Sequence, residues 1–298
     1  MKKILAVLLA VLLILTAVGC ENPASGGSVS SVISRSPEHT FEACAGGYRL
    51  VSAGSNYKTY SSVSIPSEYN GQNVVSIGAD AFAGFAALES IIIPNTVTEI
   101  QKRAFSGCTS LKTVQIPDSV VTIQGGAFMN CTSLTTLILG QGLTTIEGEC
   151  FKGCSSLQTF TFPETVTEVR GNCFENCTSL KTVYLHDGIT AIHGYAFAGC
   201  TALEEIVLPT GITEIRGNTF ENCSSLTTIA IPTGVTRIAA HAFRGCSALT
   251  TVFVPFTVQE IGSSAFRDCK SLRSITLPKD AEVDEKAFKD SPTVVTYR

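Results

Sequence analysis

The sequence predicts a repeat solenoid built from leucine-rich coils of about 23 residues, and three observations lead to this fold class. A Leu-x-x-Ile-x-Ile run, often followed by proline, recurs in each coil, and a Gly, Asn or Asp follows each regularly spaced phenylalanine by two residues. Repeats of roughly 20–29 residues are typical of leucine-rich-repeat solenoids, where stacked coils bury a core that one coil could not. The phenylalanines lie 23 residues apart, with a last interval of 22, at Phe82, Phe105, Phe128, Phe151, Phe174, Phe197, Phe220, Phe243, Phe266 and Phe288.

Each coil is expected to contain one short parallel strand, and residues 251–255 illustrate why. Val252 and Val254 are two residues apart, so they share the inward face of a strand. Thr251 and Phe253 then share the outward face. Pro255 ends the strand because it has no amide hydrogen for the ladder.

The remainder of each coil is predicted to be a turn or a short helical segment that carries the phenylalanine inward. The residue two positions after each phenylalanine tolerates a positive φ best, so we expect a left-handed conformation there. This column comprises Gly84, Gly107, Asn130, Gly153, Asn176, Gly199, Asn222, Gly245, Asp268 and Asp290.

The two ends of the repeat depart from the period, as terminal coils usually do. Residues 41–75 are expected to form an N-terminal cap, with strands at 48–51 and 63–66 and a turn at Asn70-Gly71. Residues 76–279 form the predicted solenoid, a curved arc with capped ends. Residues 280–298 are rich in charged residues, which fits a C-terminal capping repeat with a polar end.

The first 40 residues are expected to be an export signal and a tether. Lys2 and Lys3 precede an apolar run that is shorter than the ~20 residues a membrane-spanning helix needs, which indicates a signal peptide over residues 1–19. Residues 17–20 read Ala-Val-Gly-Cys and resemble a bacterial lipobox, so Cys20 is the predicted lipid attachment site. The Ser-, Gly- and Pro-containing segment up to residue 40 would be a flexible tether. The alternative is an ordinary signal peptide that ends near a cysteine.

The repeated run AFxGCxSLxxIxIPxxVTxI resembles the leucine-rich repeats of the BspA-like, treponemal-type bacterial surface proteins. The resemblance covers about residues 63 to 298. It implies a leucine-rich-repeat solenoid at the bacterial surface and a role in adhesion to host or matrix proteins or to other bacteria.

Composition and charge narrow the range of partners. The full chain has 21 basic and 25 acidic residues and a net charge of −4. No basic block is present, so the sequence predicts no nucleic-acid binding. Contact with a membrane is expected through the lipid anchor only.

Eight of the twelve cysteines occupy one column, three residues after the phenylalanine. Neighbouring members would lie about 5 Å apart with parallel side chains, a poor geometry for disulfides. Buried thiols acting as small apolar residues are the favoured interpretation, with disulfides and a metal site as weaker alternatives. Cys150 and Cys173 are the most plausible local pair if any forms, and Cys44 is the best candidate for an exposed thiol.

No catalytic constellation, cofactor motif or metal site is found in the sequence, so the chain is not predicted to be an enzyme. The four histidines share no column, and we expect them to be solvated surface residues. A polar column runs from Gln101 to Arg216, in which Glu147 and Arg170 are expected to form a solvated ion pair of little energetic weight.

A binding face is predicted on the concave side, from residues that point outward from the strands. This column mixes sizes and polarities, whereas the inward columns are uniformly apolar. Exposed apolar and aromatic residues favour recognition of a protein or other macromolecule, although such residues also simply suit a sheet. The candidate partner-binding residues are Ile92, Ile138, Tyr184, Val207, Phe253 and Phe256.

The sequence therefore predicts a lipid-anchored protein of the bacterial cell envelope, exposed at the surface, that binds a macromolecule in the manner of an adhesin. A structural scaffold or spacer without a specific ligand remains the alternative. An enzyme is the least favoured class, since it would need a polar cluster in a pocket that the periodicity does not indicate.

Overall fold

The structure is a computed structural model that describes residues 39–54 and 60–298. The predicted signal peptide, Cys20 and the tether up to residue 38 lie outside the described residues. The repeat region is a parallel β-solenoid of about eleven turns with a spacing of about 23 residues, which confirms the leucine-rich-repeat fold class. Throughout the described ranges, every regular element is a β-strand.

One column of strands, the front strands, corresponds to the Leu-x-x-Ile-x-Ile runs. Neighbours pair in parallel and in register, so that Thr136 lies beside Thr113 and Ile138 beside Gln115. The front strands are Ser62–Ser64, Ser90–Ile92, Thr113–Gln115, Thr136–Ile138, Thr159–Thr161, Thr182–Tyr184, Thr228–Ala230, Thr251–Phe253, Ser274–Leu277 and Val294–Tyr297.

Most coils also contain a second, shorter strand, which the sequence did not predict. All but the last of these side strands bury their second residue, such as Ile261, and they expose or half-expose the first. Two residues are too few to show the alternation that identifies a strand in a sequence. The side strands are Glu99–Ile100, Thr122–Ile123, Thr145–Ile146, Glu168–Val169, Ala191–Ile192, Glu214–Ile215, Arg237–Ile238, Glu260–Ile261 and Glu282–Val283.

The phenylalanine segment is a stack of tight turns, and not a helix. Its amides alternate between two partners. The amides of Arg103, Phe105 and Gly107 donate to carbonyls of the next coil, whereas those of Ala104 and Ser106 donate three residues back. The bond from the phenylalanine amide to the next coil is present at every coil from Phe82 to Phe266, at 2.7 to 3.0 Å.

Two columns of left-handed residues make this alternation possible. The predicted column, two residues after the phenylalanine, has a positive φ at all ten positions. A second column, two residues before the phenylalanine, is also left-handed and includes Arg103, Glu149, Tyr195 and His241. Side chains of this kind rarely adopt that conformation, which costs about 1–2 kcal/mol per residue. The varied composition of this column concealed it from sequence analysis.

The phenylalanine rings form one continuous stack through the core. Adjacent rings from Phe82 to Phe288 are nearly parallel, with centroids 5.0 to 5.9 Å apart. The nine rings from Phe82 to Phe266 are fully buried. Burying such a side chain contributes about 1.5–3 kcal/mol, so the stack is a large source of stability that every coil shares with its neighbours.

Asn and Gly alternate in the predicted left-handed column for a steric reason. The side-chain oxygen of Asn130 lies against Gly153, where an added Cβ would be only 2.2 Å from it. Asn176 lies in the same way against Gly199, at 2.3 Å. By contrast, a Cβ on Gly107 would meet only the backbone of Gly84, at 3.6 Å. An asparagine in one coil therefore requires a glycine in the next.

The N-terminal end of the solenoid is covered by antiparallel hairpins. Strands Thr40–Cys44 and Gly47–Ser52 pair with each other, and the second joins Gln72–Ile77 in parallel. Glu68–Tyr69 forms a second hairpin with Gln72–Ile77 through the left-handed pair Asn70 and Gly71, where the sequence predicted a turn. Both predicted strands of this region are present, and Thr40–Cys44 is additional.

The ladders between coils are interrupted at defined places on the front and side, while the turn side stays continuous. The first interruption separates Thr136–Ile138 from Thr159–Thr161 and Thr145–Ile146 from Glu168–Val169. Here Phe160 and Phe162 replace the aliphatic inward residues of other coils, and Phe160 packs against Phe151 and Phe174. We attribute the interruption to these two large rings, because the phenylalanine stack also has its widest spacing, 5.9 Å, immediately before them.

The cysteine column is buried and unpaired, which confirms the favoured interpretation of free thiols. Ten of the cysteines in the described residues are buried, and Cys44 is half-buried. Each column member donates its thiol hydrogen to a phenylalanine carbonyl of the preceding coil, as Cys131 does to Phe105 at 3.2 Å. Cys150 and Cys173 are likewise free and buried.

Burial raises the pKa of the column thiols, and this makes stability depend steeply on alkaline pH. The pKa of the column members Cys108, Cys177 and Cys269 is raised to about 12 from an ordinary value of 9.0, and burial raises the pKa of Cys150, outside the column, to about 12 as well. Since the unfolded chain ionises near pH 9 and the folded chain does not, stability is full below pH 9 and is lost as pH rises towards 12. Within that window, each buried thiol lowers the free energy of unfolding by about 1.4 kcal/mol for every pH unit.

We therefore expect the reduced protein to unfold sharply just above pH 9. The free energy of unfolding should be measured by urea denaturation under reducing conditions at several pH values. A Cys131→Ala/Cys177→Ala/Cys223→Ala variant should show a shallower pH slope, whatever its stability at pH 7. A native protein at pH 11, or an unchanged slope in the variant, would contradict this assignment.

Candidate functional site

The front strands present one outward residue per coil, and these residues form what we call the front face. It consists of Ser64, Ile92, Gln115, Ile138, Thr161, Tyr184, Val207, Ala230, Phe253 and Thr276. The flanking outward column is mostly Ser and Thr, with Glu205 as its acidic member. Because backbone pairing sets the positions of these side chains, the face is a regular array whose chemistry varies only with the side chain in each coil.

Most of the predicted partner-binding residues lie on this face and are exposed. The exposed fractions are 63% for Ile92, 57% for Tyr184, 81% for Val207 and 63% for Phe253. Ile138 also belongs to the front face, but it is less exposed than these residues and is half-buried. It lies beside the interruption of the front ladder that follows Thr136–Ile138.

Phe256 is exposed but lies outside the front strands, in the turn that follows Thr251–Phe253. The guanidinium of Arg298 lies over its ring, 4.3 Å from the centroid. The same arginine donates to the carbonyl of Val254 at 2.6 Å. This cation–π contact gives Phe256 an intramolecular partner that sequence analysis did not foresee.

The coil that contains Val207 is the least regular part of the front column. Residues 205–207 form no strand, and none of their backbone groups makes a hydrogen bond to any other described residue. The following coil carries Ala230, the smallest residue in the middle of the front face, paired with Phe253. A groove of about 380 Å³ opens at this place, lined by Val207, Ala230, Phe253 and Glu205 among others.

A polar network occupies the side of the solenoid, next to the front face. His193 Nε2 lies 3.2 Å from Glu168, and Arg216 donates to His193 Nδ1 at 2.9 Å. With Nδ1 as the acceptor, the ring hydrogen is on Nε2 and is donated to the Glu168 carboxylate. Arg216 also pairs with Glu214 at 2.8 Å. The network links neighbouring coils where the side-strand ladder is interrupted between Ala191–Ile192 and Glu214–Ile215.

The expected ion pair between Glu147 and Arg170 does not form. Arg170 pairs instead with Glu168 at 2.9 Å, and Glu147 accepts a hydrogen bond from the amide of Gly125. The side-strand ladder is interrupted between these two coils, which explains why the side chains turn to other partners.

The chemistry of this side does not resemble a catalytic or metal centre. Within residues 39–54 and 60–298, no three His, Cys, Asp or Glu side chains are grouped so as to hold a metal ion. His193 contacts a carboxylate and a guanidinium, and the buried thiols have a raised pKa that withholds the nucleophilic thiolate. Over the same ranges, no helix has the length and hydropathy needed to cross a membrane.

Comparisons with known proteins agree with this architecture. A family model described as the BspA type leucine rich repeat region (6 copies) matches residues 55–181 and 172–295. A leucine rich cell surface protein from Faecalibacterium prausnitzii is 28% identical, with a TM-score of 0.60 over 90% of this chain and 86% of that one. No curated protein matches the chain.

Two further solved structures share the fold at lower identity. A leucine-rich repeat protein from Bacteroides ovatus is 24% identical, with a TM-score of 0.55 over 90% of this chain and 91% of its own. The pneumococcal vaccine antigen PcpA is 18% identical, with a TM-score of 0.56 over 80% of this chain and 68% of its own.

Because the aromatic residues of the front face are exposed, they can be substituted without unfolding the protein. Phe253→Ala should change the free energy of unfolding by no more than about 1 kcal/mol. Phe243→Ala removes a fully buried ring of the stack and should cost about 3–5 kcal/mol. Urea denaturation of both variants measures the difference, and equal losses would mean that Phe253 is a core residue.

Proposed function

This chain belongs to the BspA type leucine-rich-repeat family, and from that premise we propose that it is a lipid-anchored cell-envelope protein whose front face binds a protein or other macromolecule. The family is one of bacterial surface proteins and indicates a protein-interaction or scaffold role. The proposed role is noncatalytic, as is typical of leucine-rich-repeat solenoids. No cofactor is part of the proposal.

The exposure of large apolar side chains on the front face is the observation on which the binding role rests. Tyr184, Val207 and Phe253 are more than half exposed, although nothing in the packing of the coil requires an apolar residue there. Gln115 and Thr161 occupy equivalent positions. Aromatic residues are enriched at the centres of protein interfaces, where their burial contributes much of the affinity.

The proposed location at the cell surface has two supports. The Faecalibacterium prausnitzii protein, 28% identical over most of its length, is described as a cell surface protein. In this chain, Cys20 follows an apolar run and small residues in the arrangement of a lipobox. Acyl chains on Cys20 would hold the solenoid at a membrane through the tether that follows.

Substitution of the front-face aromatics should weaken binding while the protein stays folded. Partners captured from outer-cell-surface and matrix extracts by the immobilised protein should bind a Tyr184→Ser/Phe253→Ser variant at least about tenfold more weakly, because interface aromatics dominate affinity. A Val121→Ser/Tyr195→Ser variant removes comparable exposed apolar area elsewhere and should bind normally. Unchanged binding by the folded front-face variant would favour the spacer role.

Lipid attachment can be tested separately in bacteria that process lipoproteins. Labelling with a fatty-acid precursor should be lost in Cys20→Ser, because the thiol is the acceptor of the first lipid group. Cys44→Ser, which changes another cysteine outside the buried column, should be labelled normally. A labelled Cys20→Ser protein would rule out this anchor.

A further inference from the structure

The groove beside Ala230 has a more apolar lining than the two other grooves that front-face residues line, at residues 250–254 with 274–276 and at residues 115–119 with 138–140. Val207 and Phe253 line it on either side of Ala230, whose single methyl group leaves space between the two larger residues. We call this groove the Ala230 notch. Its inner lining includes Ile206 and Ile231, which belong to the core yet retain 6% and 5% exposure.

The notch lies where the front ladder is interrupted. Residues 205–207 form no ladder with Thr182–Tyr184 on one side or with Thr228–Ala230 on the other. Ile206 and Ile231 are part of the lining, so an apolar side chain entering the notch would contact them as well as the two walls.

The rim of the notch is acidic. Glu205 lines the groove, at a position that is Ser or Thr in the neighbouring coils, and Glu204 is exposed beside it. Neither glutamate takes part in an ion pair with any residue in the described part of the chain, and Lys181, one coil before Glu204, does not reach it. Two exposed carboxylates without cationic partners favour a ligand that brings positive charge.

We propose that the Ala230 notch docks a basic peptide segment of a partner protein, which inserts one large apolar side chain between Val207 and Phe253. The lysine or arginine residues beside that side chain pair with Glu205 and Glu204. This assignment rests on the proposed function, since it names the partner chemistry and the central contact of the same face. It follows the usual anatomy of interfaces, in which a buried apolar anchor is surrounded by a polar, charged rim.

The test uses a fluorescent 12-residue peptide with one central Phe flanked by two Lys on each side. Its binding to the purified full chain is measured by fluorescence anisotropy. Two matched peptides replace the Phe by Ala or the four Lys by Glu. The Lys-Phe peptide should bind at least about tenfold more tightly than either, the difference that one anchor or its charged surround commonly makes.

Variants of the protein test whether the peptide binds at the notch. Ala230→Leu fills the notch and should weaken binding of the Lys-Phe peptide at least about tenfold. Thr161→Leu places the same side chain on the front face away from the notch and should leave binding unchanged. Glu205→Lys should weaken binding similarly and reduce the extent to which added salt weakens it, whereas Glu285→Lys, in the last coil, should have no effect.

The outcomes separate this inference from the proposed function. Equal binding of the three peptides, or normal binding to Ala230→Leu, overturns the notch assignment. If a captured partner still loses affinity in Tyr184→Ser/Phe253→Ser but not in Ala230→Leu, the front face binds by another contact and only the notch is rejected. Loss of the partner in Ala230→Leu and Glu205→Lys, but not in their controls, supports it.

Discussion

The stacking of one phenylalanine ring on the next is the interaction on which the rest of the structure depends. It is continuous from Phe82 to Phe288 and is accompanied on the same side by an unbroken series of hydrogen bonds from the phenylalanine amides. Both interactions join a coil only to its neighbours, so the stability of the solenoid is close to a sum over adjacent pairs. Left-handed residues other than glycine are strained, as at Arg103 and Tyr195, and the burial of the rings compensates for that strain.

Because the turn side holds the coils together, the front and side strands are free to vary. Their ladders are interrupted where large inward residues such as Phe160 intervene, and again around residues 205–207. The front ladder is also interrupted between Thr251–Phe253 and Ser274–Leu277, and the turn-side bonds continue past all of these places. Nothing in the structure explains the second interruption by packing alone. The exposed aromatic and apolar residues therefore lie on the side of the solenoid whose strand pairing can vary without loss of the turn-side bonds.

Most of the fold could be predicted from the sequence. The repeat period indicates that the coils stack, and the Gly, Asn and Asp residues indicate where φ is positive. The ring column, the ten predicted left-handed residues and the buried thiols were all readable from which residues recur. The side strands could not be predicted, because a two-residue strand is too short to show alternation. The second left-handed column could not be predicted either, because residues such as Tyr195 and Arg103 do not favour a positive φ. The Arg298 contact with Phe256 joins residues 42 positions apart outside the repeat, so periodicity could not indicate it. The small size of Ala230 was visible in the sequence, but its meaning depended on a ladder interruption that only the structure shows.

The alternation of Asn and Gly beside the ring column constrains how a chain of this kind can change in length. Deleting a single coil between Asn130 and Asn176 would place two asparagines in succession, and the Cβ of the second would meet the amide oxygen of the first. Removing or duplicating coils in pairs avoids that collision. Asp268 and Asp290 follow each other in this column without such a collision. We attribute this to the ion pair between Lys270 Nζ and Asp268 Oδ1, 2.7 Å apart, which holds the Asp268 carboxylate away from the next coil. Changes by a single coil are thus expected to add a glycine-bearing coil or to remove an asparagine-bearing one, because neither change places two asparagines in succession.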